Sequence, residues 1–497
     1  MKRGGGDPMK RAGLSAIVVA MLTIGVVGCA HRSSLLATSK STPPPIGPPA
    51  AAVTMPKVTE KVLSNGLTVL VSEYRSLPIM RFHLLLPGGG AYDPVGKEGI
   101  AELTADVLQQ GTARRSAEAL ALEVEFLGGA LGADAGTDFS TVEGEFLSKD
   151  LDAGLDLFSD IVLHPAFRPD ELRRAQGLAL TGIVASRENP SAIAEQCYAR
   201  YVYGAHPYGH LSQGTEASLK RLTRPDVLDF YARHYVPDHA ILVMIGDASA
   251  ADLMAKAESA FGGWKRNGGT LATPPAPTHI TGRHILLVDK PDATQTHIRI
   301  GNTAIARTDP SYVQAGVTST ILGGGFGARL IDELRVKRSL TYGAWSGFAA
   351  RKAPGDFRMG TFTKVETTGE AVQVALDVLE KFATGGATAE ELQRSQSLLT
   401  GQFPKQLETP GAVAGKLAEL VGFGLPRSDL EAYPARVNAT TLADVAQIAK
   451  RWVPTTDAAI VIVGPADKIA PQIAEFGTVE RTTPTGCEGP KAPQAVR

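Results

Sequence analysis

Two carboxylates one helical turn apart pose the first chemical question in this sequence. In "GIAELTADVLQQGT" (99–112), Glu102, Ala105 and Asp106 fall at i, i+3 and i+4 and project on one side of a helix. Ile100, Leu103, Val107 and Leu108 form an apolar stripe on the other side. Like charges at this spacing cost a helix about 0.2–0.5 kcal/mol, so the pair is not there for helix stability. Two carboxylates alone give at best a weak calcium or magnesium contact. Zinc generally asks for three protein ligands, usually with nitrogen or sulfur among them. Ala105 offers no group to take a proton from a bound water.

The remaining motifs are weaker. "HPYGH" (206–210) holds two histidines four apart, but Pro207 and Gly209 forbid a regular helix, so the rings share no helical face. Loop histidines bonded to backbone are the ordinary outcome there. "LGGGFGARL" (322–330) offers Gly-x-Gly-x-x-Ala, yet it follows an apolar helical pattern rather than a strand and lacks Lys-Ser/Thr. A helix-to-helix loop with close backbone packing fits it better than a phosphate cradle. The sequence has neither a Gly-x-Ser-x-Gly elbow nor a Cys-x-x-Cys pair.

The elements around these residues form two similar halves. "TRPDVLDFYARHYVPDHAILVMIGD" ends a helix, turns at Val236-Pro237 and runs into an apolar strand, and "TTLADVAQIAKRWVPTTDAAIVIVGP" repeats that order around Val453-Pro454. A period this long signals domain duplication rather than a solenoid. Each half also opens with strands ("GLTVLVSE" and "RFHLLLPGG"; "HILLVDK" and "THIRIGNTA") followed by long helical patterns. The expected fold is α+β, a sheet with helices packed on it, made twice. The 497-residue length exceeds one core, and 43% hydrophobic content with 20% charged residues is globular. A formal net charge of −1 gives no basic excess for nucleic acid.

The N-terminus reads as a targeting segment. Positive residues precede "LSAIVVAMLTIGVVGC", an apolar run of secretory length that ends in small residues before Cys29. "VVGC" resembles the lipobox of bacterial lipoproteins, which implies cleavage after residue 28 and lipidation of Cys29. Ala30 rather than aspartate follows, and by analogy with the enterobacterial sorting rule this favours the outer membrane, facing the periplasm. We expect a signal peptide over 1–29 and a Ser/Thr/Pro/Ala-rich tether over 30–54. The first domain is expected at 55–264, a linker at 265–282, the second domain at 283–475 and a disordered tail at 476–497. Cys197 and Cys487 remain; a disulfide is open in an oxidising compartment, while the apolar helical setting of Cys197 favours a buried thiol.

From about 57 to 470 the sequence resembles the pitrilysin/insulinase metallopeptidases, the inverzincins, in their two-domain, mitochondrial-processing-peptidase-like bacterial branch. The carrying segments are "LSNGLTVLVSE", "GGGAYDPVGKEGIAELTADVLQQGT", "HPYGHLSQGTEASLKRLTRPDVLDFYARHYVPDHAILVMIGD" and "LGGGFGARLIDELRVKRSLTYG". The resemblance implies a His-x-x-Glu-His helix binding zinc, with a further glutamate eight residues before a proline. In this chain those positions hold Glu102, Ala105, Asp106 and Gly182, so all four are altered and zinc is expected to be absent. It also implies that Arg335 and Tyr342, in "DELRVKRSLTYG", bind substrate carbonyl oxygen and stabilise its oxyanion. In paired family members one subunit carries zinc and the other carries this Arg/Tyr pair. The expected partners are therefore a zinc-bearing homologue, an extended peptide and a membrane reached through the lipid. A peptide-binding module without a catalytic partner is the alternative, and an active peptidase with non-standard ligands a third reading. Peptide capture would use strand addition at "GGALGADAGTDFSTVEGEF" (128–146).

Overall fold

Strands in the computed structural model, which describes residues 56–269 and 272–488, gather into two six-stranded sheets. The first contains β1 (Val58–Val62), β2 (Thr68–Glu73), β3 (Ile79–Pro87), β4 (Ala130–Ala135), β5 (Phe139–Leu147) and β6 (Ile241–Gly246), in the order β1-β2-β6-β3-β5-β4. The second contains β7 (Arg283–Asp289), β8 (Gln295–Thr303), β9 (Ala344–Ala349), β10 (Asp356–Lys364), β11 (Ala458–Gly464) and β12 (Thr478–Thr482), in the order β12-β7-β11-β8-β10-β9. The sequences β2-β6-β3-β5-β4 and β7-β11-β8-β10-β9 are one permutation used twice, as the duplicated α+β pattern requires. In each half the last of these strands enters beside the first in parallel and beside the second antiparallel.

The repeated helix-turn-strand unit has a shared local cause. Helices Arg224–His234 and Leu442–Trp452 both start from a threonine cap. The backbone N–H of Thr223 donates to Asp226, and that of Thr441 to Asp444, at 2.8 Å in both cases. Each helix gives way to a Val-Pro pair, which cannot continue it, and the chain enters β6 or β11.

β6 and β11 are buried along their whole length, so both faces of each sheet are covered. One face packs on helices of its own half. The other takes a helix from the opposite half. Helix Pro190–Tyr203 lays Ile193, Cys197 and Tyr198 on Leu286, Val288, Val461 and Val463 of the second sheet. Helix Pro410–Gly422 lays Val413, Leu417 and Leu420 on Leu70, Leu85, Ile241, Val243 and Ile245 of the first.

Two expectations are corrected near the end of the chain. Cys197 is not a free buried thiol; it is disulfide-bonded to Cys487 across 290 residues. The segment from 476 is not disordered as far as it is described. Thr478–Thr482 adds parallel to β7, and Pro484–Glu488 forms a turn held by the disulfide and by the Arg187–Glu488 ion pair at 2.7 Å. "TVERT" is short and polar, so periodicity alone does not reveal it; backbone pairing and the covalent tie order it. Between 262 and 282 the described residues form no helix or strand, where a linker is expected. No helix among the described residues is long and apolar enough to cross a membrane. Cys29, the signal segment and the tether lie outside the described residues.

Candidate functional site

The helix carrying the two carboxylates runs Ile100–Leu108, and its start is over-determined. The buried Asp93 carboxylate accepts the backbone N–H groups of Gly99 at 2.6 Å and Ala101 at 3.1 Å, satisfying donors that have no intrahelical partner. Gly99 sits at φ +90°, and a Cβ there would lie 2.8 Å from the Gln213 carbonyl oxygen. The segment after "HPYGH" thereby clamps the helix N-terminus through a close backbone approach that only glycine permits.

Seven of this helix's residues are buried, Ala105 among them at 1% exposure; Glu102 and Asp106 are half-buried. The acidic face is therefore partly dehydrated. Burial, then the neighbouring Asp134 and Asp106, push the Glu102 carboxyl up to about 7, against a smaller opposing pull from the Ala135 N–H. Burial and Asp134 also raise Asp106. Asp134, on the edge strand β4, completes a group of three carboxylates, and sequence reasoning missed it. Its only signal was its place in the strand expected to pair with peptide. Gly182 is exposed on helix Pro169–Ser186, which packs on the Ile100–Leu108 helix, and a Cβ at Gly182 would meet nothing within 4 Å.

Arg335 and Tyr342 lie in the other half. Residues Asp332–Lys337 form a wide π-helical turn, a form enriched at functional positions. Ser339 follows at φ +55°, a strained value for a residue with a side chain. The chain then reaches Tyr342, whose ring lies 4.7 Å from the Arg335 guanidinium carbon. On another side Arg335 meets the ring of Phe326, at 5.7 Å. Phe326 belongs to the glycine-rich stretch, which is indeed a loop after helix Tyr312–Gly323. A Cβ on Gly323 would lie 2.3 Å from the Ser346 backbone nitrogen, so the backbone is tightly packed there. Phe326 was the second residue missed, because a lone aromatic among glycines carries no periodic signal.

The two rings are 85% and 77% exposed, which is costly for aromatics without a partner surface. Lys337 pairs with Asp332 and Glu333, and Arg338 pairs with Glu333. Arg335 has no ion pair among the described residues, so its guanidinium donors are available on a surface flanked by aromatic faces.

Of the "HPYGH" histidines, His206 is satisfied by backbone. Its Nδ1 accepts the Tyr208 N–H at 3.0 Å, and its Nε2 contacts the Pro275 carbonyl oxygen at 2.6 Å. His210 is not so satisfied: its buried Nδ1 has no partner among the described residues.

The two sheets and the sites on them define a peptidase-type duplication, and comparison with known proteins gives the family. The insulinase (peptidase family M16) model matches residues 69–214, and the peptidase M16 inactive-domain model matches residues 221–399. The chain belongs to the M16, insulinase/pitrilysin-type, peptidase family. It is similar to an uncharacterized zinc protease of Streptomyces coelicolor, 24% identical over 79% of this chain and 86% of that protein. It is also similar to a non-peptidase homolog of Helicobacter pylori, 22% identical over 81% of this chain and 93% of that one. Among solved structures, a peptidase M16 inactive domain from Pseudomonas fluorescens superposes with TM-score 0.78 at 29% identity, covering 82% of this chain and 98% of that one.

The family implies zinc, and the donor set on the Ile100–Leu108 helix does not fit it. Glu102 and Asp106 offer no nitrogen, and burial pushes both toward protonated forms that ligate poorly. Ala105 is a methyl group inside the core, and Gly182 has no side chain. These residues can hold protons and repel one another; they cannot assemble a tetrahedral nitrogen-bearing site.

Proposed function

We propose that this chain is a non-catalytic subunit of a paired M16 peptidase, lending Arg335 and Tyr342 to a peptide held by a zinc-bearing homologue. The observation that carries this reading is the contrast between the two halves. The first has a donor set unsuited to zinc, while the second presents an arginine, without an ion pair among the described residues, between exposed aromatic rings. A guanidinium and a phenol are donors suited to a carbonyl oxygen that gains charge as it is attacked. The substrate is an extended, unfolded peptide, captured along the outer edge of β4, which pairs only with β5 among the described strands. The chain is a lipoprotein attached through Cys29 to the outer membrane and facing the periplasm. The Cys197–Cys487 disulfide supports an oxidising compartment.

Purification of the mature chain with and without candidate zinc-bearing homologues tests this reading. Alone, it should hold no stoichiometric zinc and cleave no unstructured peptide. In the complex, Arg335→Ala or Tyr342→Phe should lower kcat by about 10²–10³ while assembly and KM change little. A partner's activity that ignores both substitutions refutes the in-trans role. The exposed edge of β4 equally suits a peptide-binding module without a catalytic partner, in which case these substitutions change affinity alone.

A further inference from the structure

A cavity of about 650 Å³ lies between loop 95–98, helix Pro190–Tyr203, the segment 209–221 and the turn Pro484–Glu488. It belongs to neither site above. Two of the cations lining it are engaged: Arg187 pairs with Glu488 and Glu216, and Lys220 with Glu216. Arg200 is not. Its side chain is on a residue only 9% exposed, with no carboxylate within ion-pair distance among the described residues. Nη1 donates to the Gly204 carbonyl oxygen at 2.9 Å, and the buried Nε has no partner. His210 lines the same cavity with its own buried Nδ1, unpartnered among the described residues; burial lowers its protonation, Glu98 opposes that, and the charge on Arg200 adds a smaller push in the same direction as burial.

A buried guanidinium with an unsatisfied N–H is expensive to leave alone, and so is the orphaned ring nitrogen of His210 in the lining of the same cavity. Among the described residues Glu98 is a carboxylate that acts on both groups, and its Oε1 already accepts the Gly96 N–H at 2.8 Å. We propose that this cavity binds a small molecule through a carboxylate or phosphate group, held by the Arg200 guanidinium and the His210 imidazole. Arginine's planar fork suits either oxyanion, and the volume admits a molecule larger than the anion itself. The turn Pro484–Glu488 forms one wall, fixed by the disulfide through Cys487 and by Glu488 on Arg187. The site is independent of the Arg335–Tyr342 reading.

Calorimetric titration of the full chain with inorganic phosphate and, separately, succinate tests the proposal and distinguishes the two sources. At least one should bind with Kd of about 1 mM or tighter. Arg200→Gln should weaken that binding about tenfold or more, since it removes charge-assisted hydrogen bonds. Glu98→Gln keeps the acceptor for Gly96 while removing the opposing charge, and should tighten binding severalfold. A merely structural Glu98 predicts no such gain, and this variant decides the matter if Arg200→Gln does not fold. Binding of neither probe tighter than about 10 mM, or affinity unchanged by Glu98→Gln, overturns the proposal.

Discussion

Replacing Glu102 with glutamine isolates the charge on the altered zinc-site helix at nearly constant shape. Burial first, then Asp134 and Asp106, raise this carboxyl from its ordinary 4.5 to about 7 in the folded protein. Below about pH 4.5 the group is neutral in folded and unfolded chains alike and has no effect. Between 4.5 and 7 the unfolded chain ionises while the folded one resists, so stability falls as pH rises; above 7 the loss is complete. The shift corresponds to about 3 kcal/mol, and because the carboxyl keeps contact with water, screening reduces the expected effect to about 1–2 kcal/mol. Glutamine retains an acceptor for the Ala135 N–H. Urea unfolding should therefore show Glu102→Gln more stable than the parent by about 1–2 kcal/mol at pH 8, with much of that gain gone at pH 5. A gain of equal size at both pH values would come from packing rather than charge. No gain at pH 8 would mean that the face is well hydrated and the reasoning fails.

Three further outcomes are expected. Cys487→Ala opens a link spanning 290 residues and should lower stability by about 2–5 kcal/mol under non-reducing conditions, read as a fall in the urea midpoint without a change at other cysteines. Glu102→His with Asp106→His should bind no chelator-resistant zinc and restore no cleavage, because Ala105 and Gly182 still contribute no group; metal analysis and a peptide assay check it. Cys29→Ser should move the protein from the salt-washed membrane fraction to the soluble periplasmic fraction, and its persistence in membranes would place the anchor elsewhere.

The site was legible in the sequence where spacing carried the information. Glu102, Ala105 and Asp106 do lie on one short helix, and Gly182, a position implied by the resemblance, lies on a helix packed against it. The degree of burial was not legible. A helical wheel gives a face, whereas the partly dehydrated state of this one depends on β4 delivering Asp134 from more than twenty residues away. Arg335 and Tyr342 were found through resemblance, since seven residues of separation imply no contact. Their meeting depends on a π-helical turn and on Ser339 at positive φ, neither of which a period of 3.6 can foretell.

The fold shows a related limit of local pattern. The strands were readable because β2, β3, β6, β7 and β11 are largely apolar runs bounded by turn residues. Those runs do not alternate, which implies a cover on both faces but not where the second cover comes from. Helix Pro190–Tyr203 and helix Pro410–Gly422 answer that question by crossing between halves. In helix Pro190–Tyr203 the exchange places Cys197 on the second sheet, beside the end of the chain, where Cys487 can reach it. A reading that assigns each helix to its own half leaves the two cysteines apart and favours a free thiol. The same exchange brings Arg200 and the turn Pro484–Glu488 to one cavity, so the candidate anion site exists only because the halves interlock.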